Sequence, residues 1–275
     1  MSDIDRINRI AEAAEQADGA APIDEATWLA IRRGIGVHEW VTDEGFALVI
    51  GDDLSLCVHP DHRGEGVGAR LLGQALAEQD HPGLQAWSHA DHPAAARLAE
   101  AHGFERVREL WVMRRLTSEQ LPVVPTLDAA IIRVFEPGDE DELIRVNAEA
   151  FAHHPEQGAM DAGNLADRMA QSWYDPTGLL VADSGDGHLV GFHWTKQHSP
   201  EVGEVYVVGV APEAQGTGVG RALTLAGLEH MAGKGVDEVI LYVESDNEPA
   251  KAVYTKLGFT HADLDTHVMY RRPEA

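Results

Sequence analysis

Two tandem α/β domains of one construction are what this sequence predicts, and three observations carry the prediction. Residues 203–221 read Gly-Glu-Val-Tyr-Val-Val-Gly-Val-Ala-Pro-Glu-Ala-Gln-Gly-Thr-Gly-Val-Gly-Arg: a β-branched run, a break at Ala211-Pro212, then a glycine-rich turn that opens an apolar-periodic helix over 219–231. Residues 58–72, Val-His-Pro-Asp-His-Arg-Gly-Glu-Gly-Val-Gly-Ala-Arg-Leu-Leu, repeat that construction 152 positions earlier. Between the copies, Leu-Pro-Val-Val-Pro-Thr-Leu at 121–127 has two prolines and no periodicity, the mark of an extended linker. The expected division is therefore a first domain over 1–120, a linker over 121–127 and a second domain over 128–275. At 275 residues each half is long enough to bury its own core.

The elements follow in order. Ile4, Ile7, Ile10 or Ala11, and Ala14 have helical spacing with acids on the other face, which predicts a packed helix over 4–18. A turn at 20–25 starts a second helix carrying Trp28, Leu29 and Ile31. Strands are expected at 37–41, 46–50 and 54–58, then the first glycine loop and a helix over 67–77. A short strand at 84–87, an alanine-rich helix over 93–101 capped by Gly103, and closing strands within 104–116 complete the first copy. The second copy repeats that order, with a strand at 239–243, a helix over 249–257, Gly258 as cap and closing strands within 259–270. Acidic residues 139–142 read as the first turn of a helix over 143–150, where they complement the helix dipole.

A glycine loop of this kind presents several backbone N–H groups at a helix N-terminus, so it can hold a phosphate or pyrophosphate without a lysine. Gly216, Gly218 and Gly220 let the backbone approach that anion. The spacing lacks both the Gly-x-Gly-x-x-Gly with a downstream ribose-binding acid of dinucleotide folds and the Gly-Lys-Ser/Thr of a Walker loop. A formal charge of −25 with no basic cluster argues against nucleic acid and anionic membranes as partners. No apolar run is long enough for a membrane span, and the first residues lack a signal-peptide pattern, so the expected compartment is the cytoplasm. Cys57, the single cysteine, excludes an internal disulfide and sits in an apolar run that reads as core. His153 and His154, like His193 and His198, lack the spacing of a metal motif, and no metal is expected.

The pattern Gln/Arg-x-x-Gly-x-Gly/Ala after a strand resembles the acetyl-CoA loop of GNAT-type N-acetyltransferases. That resemblance implies two tandem GNAT folds, each a mixed, mostly antiparallel sheet flanked by helices, with acetyl-CoA as cosubstrate. It places the coenzyme against Val208, Gly209 and Val210 of the strand, against Gln215, Gly216, Thr217, Gly218, Val219, Gly220 and Arg221 of the loop, and against Asn247. In the first copy the matching positions are Leu56, Cys57, Val58, Gly64, Glu65, Gly66, Val67, Gly68 and Ala69.

Further strings narrow the likeness: Ala-Phe-Ala-His-His-Pro-Glu-Gln-Gly at 150–158, Trp-Tyr-Asp-Pro at 173–176, Gly-Phe-His-Trp-Thr-Lys at 191–196 and Leu-Tyr-Val-Glu-Ser-Asp-Asn at 241–247. With 203–207 they are similar to the mycothiol synthase family, tandem GNAT enzymes of actinobacteria. The match is close over 128–270 and looser in the first half. It implies acetyl transfer from acetyl-CoA to the cysteinyl amine of cysteinyl-glucosaminyl-inositol, a small pseudo-disaccharide thiol, by a monomer. Glu25, Glu156, Lys196, Glu204 and Tyr242 would bind that substrate.

The chemistry needs a base for the attacking amine and an acid for the departing thiolate. Glu204, on the strand entering the loop, suits the first role, and Tyr254, on the helix after Asn247, the second. Backbone N–H groups around Val208–Val210 would hold the oxyanion. In the first copy Asp52 stands at the position of Glu204, Ala99 at that of Tyr254, Trp87 at that of Tyr242 and His92 at that of Asn247. Only the second copy is therefore expected to be catalytic. A GNAT acting on another amine, such as an aminoglycoside or a protein N-terminus, and a non-catalytic acetyl-CoA sensor are the competing readings.

Overall fold

The computed structural model describes residues 2–34, 36–152, 158, 160–185 and 187–274. In chain order its elements are α1 (Asp3–Asp18), α2 (Glu25–Arg33), β1 (Val37–Val41), β2 (Gly45–Ile50), β3 (Asp53–Val58), α3 (Val67–Gln79), β4 (Gln85–Ser88), α4 (Pro93–Ala101), β5 (Glu105–Leu116), β6 (Ile131–Val134), α5 (Glu140–Ala150), α6 (Ala162–Met169), β7 (Leu179–Asp183), β8 (Leu189–Gln197), β9 (Val202–Val210), α7 (Val219–Gly233), β10 (Glu238–Glu244), α8 (Glu248–Lys256) and β11 (Thr260–Arg271). Residues 121–127 carry neither helix nor strand. Two compact units result, each discontinuous in sequence. The first takes Met1–Trp111, Glu244–Asp246 and Ala262–Ala275; the second takes Val112–Val243 and Asn247–His261.

In the first unit the strand order is β1-β2-β3-β4-β11. The hairpins β1–β2 and β2–β3 are antiparallel in full register, from Val37↔Ile50 to Val41↔Phe46 and from Gly45↔Val58 to Ile50↔Asp53. Strand β4 then lies parallel to β3, joined at the single pair Asp53↔Gln85, and is closed by the chain's last strand, antiparallel from Gln85↔Arg271 to Ser88↔Val268. Leu71, Leu72 and Ala75 of α3 pack with Leu84, Val268 and Tyr270. A separate cluster joins Ile7, Ile10, Ala11 and Ala14 of α1 to Phe46, Leu48 and Cys57. Ile4 was expected on that apolar stripe but is exposed, because the buried set 7, 10, 11, 14 leaves it on the stripe's flank in the first turn.

The second unit orders its strands β10-β9-β8-β7-β6, with β6 through β9 all antiparallel neighbours. Strand β7 is buried at every position, and β8 is buried from Leu189 to Thr195. Phe192 and Trp194 join the cluster containing Leu143 and Val146 of α5 and Leu165 of α6, while Leu180, Ala182 and Val190 pack with Val219 and Leu223 of α7. A sheet covered on both faces has no polar alternation, which is why these strands left no period-two signal in the sequence. The closing segments, expected as more than one strand each, are single twelve-residue strands, β5 and β11.

His193 of β8 seats its ring against Gly227 of α7, where a Cβ would stand 2.0 Å from Cε1, and its Nδ1 lies 2.8 Å from the Leu223 carbonyl oxygen. Burial pushes this imidazole down to about 4. The unfolded chain, with a histidine near 6.5, takes up that proton first. The contribution of His193 to stability is therefore full above about pH 6.5 and is lost as pH falls toward 4, by roughly 3 kcal/mol in all. Chemical denaturation at pH 7 and pH 4.5 should show this loss in the native protein and a visibly shallower one in His193→Asn.

Candidate active site

Strand β9 is held along its length by β8 but only briefly by β10. The β9–β10 ladder is parallel and covers three positions, Val202↔Glu238, Gly203↔Val239 and Glu204↔Ile240, whereas β9 runs on to Val210 and β10 to Glu244. The strands part just past Glu204. The Ala211 N–H donates to the Val190 carbonyl at 3.0 Å, which fixes the phase of the antiparallel β8–β9 ladder. Alternation then turns the N–H and C=O of Val208 and Val210 away from β8, toward the side where β10 has departed. The Val210 carbonyl is met there by the Gln215 side-chain amide at 3.3 Å. Gly209 is obligatory on the opposite face, since a Cβ would stand 2.5 Å from the Phe192 ring.

The loop has the conformation its glycines predict. Gly216 and Gly218 have φ of 77° and 92°, in the left-handed region, and Gly218 is the residue before α7. The first unit repeats each feature: Gly64 and Gly66 both have φ of 81°, and Arg63 Nε donates to the Val58 carbonyl at 3.3 Å, as Gln215 does to Val210. Arg63 is also held by both carboxylate oxygens of Asp18, at 2.7 Å each. Leu56, Cys57, Val58, Gly64, Gly66, Val67, Gly68 and Ala69 line a cavity of about 440 Å³. Glu65 is not among its walls; its carboxylate lies 3.4 Å from His62 Nδ1. Burial pushes the Cys57 thiol up to about 12, which keeps it unreactive.

Glu204 is buried, and its register partner across the β8–β9 ladder is Lys196. A β-bulge separates this pair from the rest of the ladder: Trp194 faces Val207 and Thr195 faces Val205, so the register slips by one residue at Tyr206. The Lys196 ammonium sits 4.9 Å from the centroid of Trp173 and 5.3 Å from that of Tyr206, two rings in edge contact at 5.1 Å. An aromatic wall thus holds the Lys196 ammonium, whose residue is the register partner of Glu204.

Tyr254 lies on α8, which Asn247 caps by accepting from the Ala250 N–H at 3.1 Å. Its ring is half-buried in edge contact with Phe259, centroids 5.9 Å apart, and burial pushes its phenol up to about 12. Tyr242 is exposed on β10, two residues past the point of parting. The second unit therefore contains Glu204, Lys196, Tyr242, Asn247, Tyr254 and the glycine loop. Glu156 lies outside the described residues; Glu25 begins α2, and its side chain is likewise outside them.

The sequence reading missed His198. Its Nε2 stands 2.6 Å from Glu204 Oε2, and its side chain is 37% exposed where that of Glu204 is 8% exposed. The signal was a tight hairpin: the His198 N–H donates to the Val202 carbonyl at 2.9 Å, and Ser199 Oγ accepts from the N–H of Glu201 and Val202 at 3.1 Å each. Strand alternation then puts His198 on the face of Lys196 and folds it back toward Glu204.

Comparison with known proteins agrees with this geometry. The profile of the acetyltransferase (GNAT) family matches residues 144–259, and that of an acetyltransferase (GNAT) domain matches residues 24–106. A mycothiol acetyltransferase of Nocardioides sp. (strain ATCC BAA-499 / JS614) is 60% identical, over 97% of this chain and 96% of its own. The chain belongs to the mycothiol acetyltransferase family. Another family member, from Thermobispora bispora, is 45% identical over 98% of this chain and 96% of its own. Among solved structures, a GCN5-related N-acetyltransferase from Sphaerobacter thermophilus superposes with a TM-score of 0.72 at 25% identity, covering 100% of this chain and 95% of that one. A tandem GNAT protein from the clavulanic acid biosynthesis pathway gives 0.70 at 20% identity, with 99% and 96% covered, and shares the fold. As a member of this family the chain is an N-acetyltransferase of two GNAT domains.

The Tyr254 phenol should remain protonated through the neutral range. In a ¹³C-tyrosine NMR titration, the resonance lost in Tyr254→Phe should shift only near pH 12; a midpoint at the ordinary value near 10 would contradict its burial.

Proposed function

We propose that this chain transfers the acetyl group of acetyl-CoA to the cysteinyl α-amine of cysteinyl-glucosaminyl-inositol, giving mycothiol and CoA. The observation that carries this reading is the buried Glu204 at the point where β9 leaves β10, facing Lys196 across the ladder. The family's name supplies the substrate class, and the site supplies a means of acting on it.

The parted strands suit the pantetheine arm, which would lie along Val208–Val210 as an added strand, with the pyrophosphate against the loop from Gln215 to Arg221. A cysteinyl α-ammonium titrates near 8, so a share of it is free amine near neutral pH, and Glu204 accepts the proton displaced as more amine forms in the site. The free amine attacks the thioester carbon, the carbonyl oxygen becomes the oxyanion, and the outward N–H groups of Val208 and Val210 stabilise it. Collapse breaks the C–S bond, the thiolate takes the Tyr254 proton, and the attacking nitrogen, which still carries one proton too many for an amide, returns that proton to the phenolate. The products are an amide and a free thiol, and the proton from the amine resides on Glu204. His198, hydrogen-bonded to that carboxylate and open to solvent, carries it out. Lys196 and the edges of Trp173 and Tyr206 form a surface for a hydroxyl-rich ligand, to which Glu25, Glu156 and Tyr242 would add polar contacts. Asn247 serves the site indirectly, by fixing the start of the helix that carries Tyr254.

With acetyl-CoA and synthetic cysteinyl-glucosaminyl-inositol, mass spectrometry should show one acetyl group on nitrogen, with the thiol count of the acceptor unchanged. A product that loses its thiol and keeps a titratable amine would refute the reading. Glu204→Gln should lower kcat by about 10²- to 10⁴-fold. His198→Ala should lower it less and recover with added imidazole, whereas an unrescued loss would make His198 a packing residue. In a matched pair checked by circular dichroism, Gly66→Trp should keep most turnover and Gly218→Trp should lose it. Equal losses in two folded proteins would remove the assignment of catalysis to the second unit.

A further inference from the structure

A cavity of about 440 Å³ lies in the first unit. It occupies the wedge between β3 and β4, which part after Asp53↔Gln85 as β9 and β10 part after Glu204↔Ile240. Leu56 and Val58 wall one side, Ala86 and Trp87 the other, and the first glycine loop opens onto it. Leu72, Ala99, Phe104 and Tyr270 also line it, and they belong to one apolar cluster.

Ala99 explains the extra room. It is the seventh residue after the cap of α4, His92, as Tyr254 is the seventh after the cap of α8, Asn247. Each hands its carbonyl to the N–H of the phenylalanine after the glycine: Phe104 to Ala99 at 2.9 Å and Phe259 to Tyr254 at 3.0 Å. In the second unit a phenol ring stands against Phe259; in the first, the same place beside Phe104 holds only a methyl group. If Tyr254 serves the departing sulfur, then the space opened by Ala99 lies where a thioester and its acyl group would sit. This step rests on the proposed role of Tyr254 and on the first loop holding coenzyme.

We propose that the first unit is a retention site for coenzyme A thioesters whose acyl chain is longer than acetyl, with the chain buried beside Ala99, Leu72 and Phe104. The glycine loop and strand wedge would hold the coenzyme portion, which all such thioesters share. Selectivity then comes from apolar volume: each buried methylene is worth roughly a fourfold gain in affinity.

The test uses the full chain carrying Gly218→Trp, so that the second loop is blocked, and isothermal titration with CoA, acetyl-CoA, butyryl-CoA and hexanoyl-CoA. Butyryl-CoA should bind about tenfold tighter than acetyl-CoA, and hexanoyl-CoA tighter again. Adding Ala99→Tyr should flatten the series while leaving the affinity for CoA itself unchanged. Bound CoA with a flat or falling series in the Gly218→Trp chain would overturn the proposal alone; no binding of any member would overturn the reading of the first loop as well. Native mass spectrometry of the unaltered chain gives a measurement free of either substitution. One retained hexanoyl-CoA in preference to acetyl-CoA is expected there, and its absence counts against the proposal.

Discussion

A parallel strand pair that comes apart is the constraint from which the rest of each unit follows. Parallel strands pair through evenly spaced hydrogen bonds, so a pair that stops after three positions leaves the next stretch of backbone with donors and acceptors aimed at open space. The structure maintains that costly edge in two ways. On its far side β9 is committed to a long ladder with β8, and at its end Gln215 occupies the Val210 carbonyl. What remains open is a short run of main chain next to a turn full of N–H groups. In the proposed function such an edge receives an extended, amide-bearing arm ending in phosphates.

The same constraint places the chemistry. Glu204 occupies the last paired position before the strands separate, so its carboxylate is anchored by the sheet yet adjacent to the opening. Alternation sets Glu204 and Tyr206 on the face of Lys196, and the bulge brings Val207 onto that face as well, opposite Trp194. The hairpin at 198–202 then adds an imidazole from solvent's side. A buried carboxylate linked to an exposed imidazole would, in the proposed reaction, resolve a conflict: exclusion of water favours acyl transfer but strands the proton.

Much of this was legible in the sequence because it depends on local chemistry. Glycines at 64, 66, 216 and 218 announce left-handed backbone, Ala211-Pro212 announces the break, and the repeat converts one motif into an architecture. The tandem GNAT reading rests on those residues and agrees with the fold and the family. Strands β7 and β8 were not legible, since burial on both faces removes periodicity, and Ile4 shows how a helical stripe can be drawn one residue too wide. His198 required a register, not a motif: only after Lys196↔Glu204 is fixed does a histidine two residues along become the partner of the carboxylate. Glu204 and Tyr254 could be singled out by position, but the environment of each, beside an imidazole or against Phe259, depends on the turn that folds a nearby residue back onto it.

The membership of the last strand in the first unit has a consequence for synthesis. Val268 and Tyr270 complete a core whose other members all precede residue 105, and β11 covers the edge of β4. A ribosome adding about 5–20 residues per second must therefore make roughly 150 more residues after Trp111 before that edge can be closed. For some 8 to 30 seconds the nascent first half carries an uncapped strand and an incomplete core, a state that invites pairing with neighbouring chains. The two copies are thus tied together in time as well as in sequence. The sheet of the first unit cannot be completed until residues 268–271 have been made.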